Sequence, residues 1–208
     1  MILYYPGRMI SNYIAFAGRK KIATGDLLAV AREAKKVFDQ DQWAQVLLFD
    51  DTTSNQIDVD WSGTLDDVLW RLEGRLIPTA TNEIRRPGRP RLGVVAREVT
   101  LLPRHWEWLA TQPGGASVAL RKLVEQARNV NQGKDRQRQA QESAYRFLSA
   151  MAGNEPGFEE ATRSLFAANQ QQFETIVDPW PADIRDHARK LAAAAFDGVT
   201  TISAIPRP

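Results

Sequence analysis

The sequence predicts an α+β protein with an amino-terminal sheet-and-helix domain, a central strand-helix-helix unit and a carboxy-terminal helical bundle. Three observations predict it. Apolar residues alternate in short runs near the start, as in YIAFAGRKKIATG and AQVLLFDDTTSNQIDVDW, whereas beyond Lys134 they recur at helical spacing. Between these regions lies a stretch rich in Pro and Arg, followed by a β-prone run and two short helical patterns split by Gly114-Gly115. The boundaries drawn from this are 1–79, a basic arm at 80–93, the central unit at 94–130, the bundle at 134–197 and a tail at 198–208.

From Tyr13 the alternation reads as two strands around a Gly18-Arg19 turn. A helix follows, capped by Thr24 or Asp26, with Leu27, Val30, Ala31, Ala34 and Phe38 as its buried stripe. Gln45–Asp50 and Gln56–Trp61 read as a second pair of strands joined by a polar turn, and Gly63-Thr64-Leu65 opens a second helix in which Asp67 completes a capping box. Gly63-Thr64-Leu65-x-x-Val68 echoes Gly25-Asp26-Leu27-x-x-Val30, so one hairpin-plus-helix unit is expected twice. Asp50, Asp51, Asp58, Asp60, Asp66 and Asp67 form the only group in which oxygen ligands for a metal could gather. Their spacing suits turn and cap chemistry better, and no metal or cofactor is expected.

In the central unit Val94, Val95, Val99 and Leu101 favour extended structure, and Leu102-Pro103 then starts a helix with Pro at the position where its missing N–H costs nothing. Trp106, Leu109 and Ala110 share a face of that helix. Leu120, Leu123, Val124 and Ala127 make the stripe of the next, expected to run from Ala116 to Arg128 and to end at Asn129–Gly133. A separate helix is expected over Lys134–Met151, then one around Phe158–Phe166, a shorter one around Phe173 and Val177, and a last one over Pro179–Phe196.

The chain has 208 residues, 43% hydrophobic and 25% charged, enough for one or two domains with a sizeable core. A formal net charge of +2 makes the surface as a whole no polyanion binder, so contact with nucleic acid would rest on local clusters. The lack of cysteine removes disulfides, thiolate nucleophiles and Cys-based zinc sites. With no apolar run of about 18 residues and no signal-peptide pattern, the expectation is a cytoplasmic protein with no membrane partner.

The order strand, Leu-Pro entry, Gly turn and Ser-started helix over residues 94–128 resembles the ribbon-helix-helix family of transcriptional regulators. The resemblance implies a homodimer whose paired strands lie in the major groove of double-stranded DNA, with Ala116 and Ser117 at a phosphate-binding helix start. In the register counted back from Pro103, Arg97, Val99 and Leu101 face the bases. If hydrophobicity sets the register, Val99 and Leu101 turn inward and Glu98 and Thr100 face out. A helix-turn-helix with Ala116–Arg128 as recognition helix keeps the partner and changes the geometry. The arm carries Arg85, Arg86, Arg89 and Arg91 between Pro87, Gly88 and Pro90, and resembles the core of an AT-hook, an extended chain suited to the minor groove. Read without the neighbouring unit, it is a solvated linker.

No nucleophile-elbow or phosphate-loop pattern occurs, and the two histidines, His105 and His187, stand alone in helical segments. Catalysis is not expected. The competing function is a protein-protein adaptor in which the strand-helix-helix unit only dimerises. The whole order, with GRPRLGVVAREVTLLPRHWEWL in the middle and AYRFLSAMAGNEPGFEEATRSLF near the end, resembles a bacterial family known only as a domain of unknown function.

Overall fold

The computed structural model describes residues 12–76, 95 and 97–197, so the expected arm residues Arg85, Arg86, Arg89 and Arg91 and the tail 198–208 lie outside them. The chain divides into two compact units: residues 1–77 with 133–208, and residues 78–132.

The first unit is built around a small antiparallel sheet. Strand β1 (Tyr13–Ala17) turns through Gly18, at φ +53°, into β2 (Lys20–Gly25), and β3 (Val46–Asp50) pairs with the other edge of β1, giving the order β2-β1-β3. Because strand side chains alternate, Ile14, Phe16 and Phe49 fall on one face while Ala15 and Leu48 fall on the other, and both sets are buried. The second face is covered by helix α1 (Leu27–Gln40) and helix α2 (Leu65–Leu76). Asp26 caps α1 by accepting the Ala29 N–H at 3.0 Å, and Leu27, Val30, Ala31 and Ala34 are buried as expected. Phe38 is half-buried and stacks on Trp61, ring centroids 6.2 Å apart. The capping box on α2 is present: Thr64 donates its N–H to Asp67 at 2.8 Å, and the Asp67 N–H reaches the Thr64 hydroxyl at 3.3 Å. The Thr64 hydroxyl and amide together hold the Asp67 carboxyl below the usual carboxylate range.

Gln56–Trp61 is not a strand. Only the Phe49–Gln56 bridge and an Ile57 N–H bond to the Leu48 carbonyl tie it to β3. Beyond that point the backbone is met by side chains from α2: Arg71 donates to the carbonyls of Asp60 at 2.8 Å and Ser62 at 2.5 Å, and Arg75 donates to that of Asp58. Guanidiniums take the place of a ladder, and the expected repeat of a hairpin-plus-helix unit fails with the missing strand.

Helix α4 runs from Gly115 to Met151 as one element of 37 residues, without the break expected at Asn129–Gly133. Its residues from 133 onward belong to the first unit, where Ala144, Phe147 and Leu148 pack on the Ile14/Phe16/Phe49 face of the sheet. Helices α5 (Phe158–Phe166), α6 (Gln170–Val177) and α7 (Ala182–Phe196) close the same core, with Leu165, Phe173, Val177 and Ile184 fully buried. The last helix starts three residues later than Pro179, because Trp180 turns inward and donates its indole N–H to the Pro156 carbonyl at 2.9 Å. One sheet thus lies between two helical layers drawn from opposite ends of the chain.

In the second unit, α3 (Pro103–Ala110) has Leu102 as N-cap and Pro in its first turn. Gly114 and Gly115, at φ +86° and +75°, make the turn into α4; a side chain at Gly114 would also press on Val118 at 3.1 Å. The described residues between 95 and 102 form no strand. A strand needs a second edge to bond to, and the described part of this unit contains no other extended segment.

Candidate functional site

Of the residues the sequence singles out for DNA, Arg97, Val99 and Ser117 are exposed, while Leu101 and Ala116 are half-buried. Ser117 lies in the first turn of α4, where its own carbonyl accepts a bond from the Arg121 guanidinium at 3.1 Å. Around them apolar surface is left uncovered. Of the twelve large apolar side chains exposed among the described residues, eight fall between Val95 and Val130, including Trp106, Trp108 and Val124. The stripe expected to be buried on α4, from Leu120 to Ala127, is half-buried at Leu120 and exposed at the rest, and on α3 only Leu109 is buried. Large apolar side chains exposed at this density along one segment are the kind of surface that contact with a partner covers.

The first unit holds a second constellation, which sequence reading missed. Asp50 and Asp51 begin the polar turn after β3. Asp50 behaves as turn chemistry predicts, its Oδ1 accepting the N–H groups of Thr52 at 3.0 Å and Thr53 at 2.7 Å. Asp51 instead turns inward, with 8% of its surface exposed. Its Oδ2 receives the Lys190 ammonium of α7 at 2.5 Å, and its Oδ1 lies 3.8 Å from Nδ1 of the buried His187. That separation is too long for a hydrogen bond, so Asp51 Oδ1 is unpartnered, as is His187 Nε2. The imidazole is flanked by Phe16 and Phe147, with ring centroids 5.8 and 4.5 Å away. Burial lowers its pKa from 6.5 to about 4; the Asp51 charge opposes this and the Lys190 and Lys21 charges reinforce it. At neutral pH His187 is uncharged, and Lys190 is the counter-charge of Asp51.

Beside this pair the turn, α4 and α7 enclose a cleft of about 490 Å³. Ser143 of α4 donates to the Thr52 carbonyl at 2.7 Å and lies 3.0 Å from the buried Ser54 hydroxyl. Ser54 itself has φ +54°, a left-handed conformation that this bond helps hold. Arg146 of α4 donates to the Thr53 carbonyl and pairs with Glu142 at 3.7 Å. The turn is therefore tied to two helices by side chains more than eighty residues away in sequence, and the cleft wall is fixed before any ligand arrives. The six aspartates of the amino-terminal region are not gathered: among the described residues no three His, Asp or Glu side chains come together as a ligand set for a metal.

No described helix is long and apolar enough to cross a membrane. No curated protein matches the chain, and no solved structure does. The family model described as "Uncharacterized protein conserved in bacteria (DUF2239)" matches residues 12–192, a span that runs from β1 into α7 and takes in the second unit and most of the first. The match covers most of the sequence, and the chain belongs to this bacterial family.

Proposed function

We propose that the protein is a homodimeric DNA-binding protein, a transcriptional regulator whose second unit supplies the dimer contact and whose basic arm supplies attraction to the phosphate backbone. The observation that carries this reading is the uncovered apolar surface between Val95 and Val130, together with residues 97–101 that find no strand partner in the described chain. A second copy meets both needs at once, since two such segments pair across a two-fold axis and bring the exposed side chains of α3 and α4 against their equivalents. The arm, with Arg85, Arg86, Arg89 and Arg91, directly precedes residues 94–130 in sequence. Paired strands would enter the major groove with Arg97, Val99 and Leu101 or their neighbours outward, and Ala116 and Ser117 would meet a phosphate.

Retention of the purified chain on duplex DNA across a salt series tests the DNA contact, and sedimentation at micromolar concentration tests the dimer. A dimer with salt-sensitive retention is expected. A dimer without retention favours the adaptor reading, in which the unit only assembles copies; a monomer removes the ribbon altogether. Leu101→Asp then fixes the register: loss of the dimer places Leu101 inward, whereas a persisting dimer with altered DNA binding places it toward the bases.

A further inference from the structure

We infer that the cleft between the Asp51–Asn55 turn, α4 and α7 binds a small phosphate ester of a sugar or polyol. Its volume, about 490 Å³, lies within the range of small-molecule sites. Three cations line it, Arg136, Arg146 and Lys190, against the carboxylates of Asp51 and Glu142. Lys190 is taken by Asp51, and Arg146 by the Thr53 carbonyl and Glu142. Arg136 alone has no hydrogen-bond or ion-pair partner among the described residues, and its planar fork suits a phosphate.

The rest of the wall indicates what the phosphate is attached to. Arg136 and Arg146 lie ten residues apart on α4, about 15 Å along the helix, so one inorganic anion does not reach both ends. The side-chain amides of Asn55 and Gln139 line the same cleft, each able to donate and accept as sugar hydroxyls require, and the Thr53 hydroxyl, which donates to Asp50 at 2.9 Å, can still accept. Asp51 stands at the wall with its Oδ2 held by Lys190, while its unpartnered Oδ1 is turned away toward His187. Among the described residues no aromatic side chain lines the cleft, so a nucleobase finds none there to stack on, whereas a polyhydroxy body is matched. The bonds from Ser143 to Thr52 and from Arg146 to Thr53 fix the turn in advance, which lowers the cost of binding.

Calorimetric titration of the full chain with glucose 6-phosphate, fructose 1,6-bisphosphate and glycerol 3-phosphate tests the inference, with glucose and inorganic phosphate as comparisons. At least one ester is expected to bind saturably, more tightly than inorganic phosphate, while glucose does not bind. Arg136→Gln should weaken that ester by about tenfold or more, the loss of one charge-assisted contact, with an unchanged thermal midpoint because Arg136 is exposed. Replacing Arg85, Arg86, Arg89 and Arg91 by Ala should leave ester binding as it was, which separates the cleft from the arm. The inference is overturned if none of the three esters binds saturably, if Arg136→Gln binds as the parent does, or if inorganic phosphate binds as tightly as the best ester.

Discussion

His187 is surrounded on two sides by Phe16 and Phe147 and faces Asp51 across 3.8 Å, too far to share a proton comfortably. In the unfolded chain its imidazole takes up a proton below about pH 6.5, and in the folded protein only below about 4. Between those values the unfolded state binds more protons, so the contribution of neutral His187 is fully present above about pH 6.5 and is lost as the pH falls through the window. The full difference is on the order of 3 kcal/mol. Urea midpoints at pH 7 and pH 4.5 should therefore fall steeply for the parent and much less for His187→Gln, which has nothing to titrate. An equal fall in both proteins would assign the acid sensitivity to carboxylates. The same residue explains why Lys190 matters: with the imidazole uncharged, the Lys190 ammonium is, among the described residues, the one cation bonded to the buried Asp51 carboxylate.

At the scale of elements, the segment Gln56–Ser62 shows a division of labour between pattern and hydrogen bonding. Its alternation is real, since Ile57, Val59 and Trp61 pack inward against the α1–α2 core while Asp58 and Asp60 face out. The carbonyls, however, go to Arg71 and Arg75. Replacing both arginines by Ala should cost about 1–3 kcal/mol. It should also speed hydrogen exchange at the Ile57 amide, which bonds the Leu48 carbonyl, while the β1–β2 amides keep their protection. Equal exchange at Ile57 in parent and variant would mean that the bridge to β3 holds the segment without them. No local rule could reveal this, because an alternating run is the same whether its backbone is met by a strand or by guanidiniums. Signals that act within one turn were legible: Asp26 and the Thr64/Asp67 box at helix starts, Pro103 at the entry to α3, Gly114-Gly115 at its exit. Asn129–Gly133 misled because Asn and Gly are poor helix formers. The helix nevertheless passes through, bracketed by the Glu125–Arg128 and Asp135–Arg138 pairs and by Asn131 bonding back to the Ala127 carbonyl. Asp51 and Lys190 stand 139 positions apart, and sequence offers no means of pairing them; Asp51 could be read only as a turn residue.

Across the whole molecule, the proposed function divides labour between a dimer contact, which needs apolar surface, and the arm, which needs only charge. Replacing Arg85, Arg86, Arg89 and Arg91 together by Ala isolates the second. If each arginine displaces close to one counterion, the quadruple variant should bind every duplex more weakly by a similar factor, with a log-log salt slope shallower by up to about 4 per arm. Selectivity between duplexes should persist, because base reading is assigned to residues 97–101 and not to the arm. Fold and dimer should persist as well. Residues 85–91 alternate Arg with Pro and Gly and offer no apolar stripe, so their replacement is expected to take no apolar side chain from a core. Three measurements on one variant decide it: thermal midpoint, sedimentation, and filter binding between about 50 and 200 mM salt, where counterion release is steepest in its effect. An unfolded variant, or one whose salt slope matches the parent's, would place these arginines in an internal contact and put the adaptor reading ahead of the DNA-binding one.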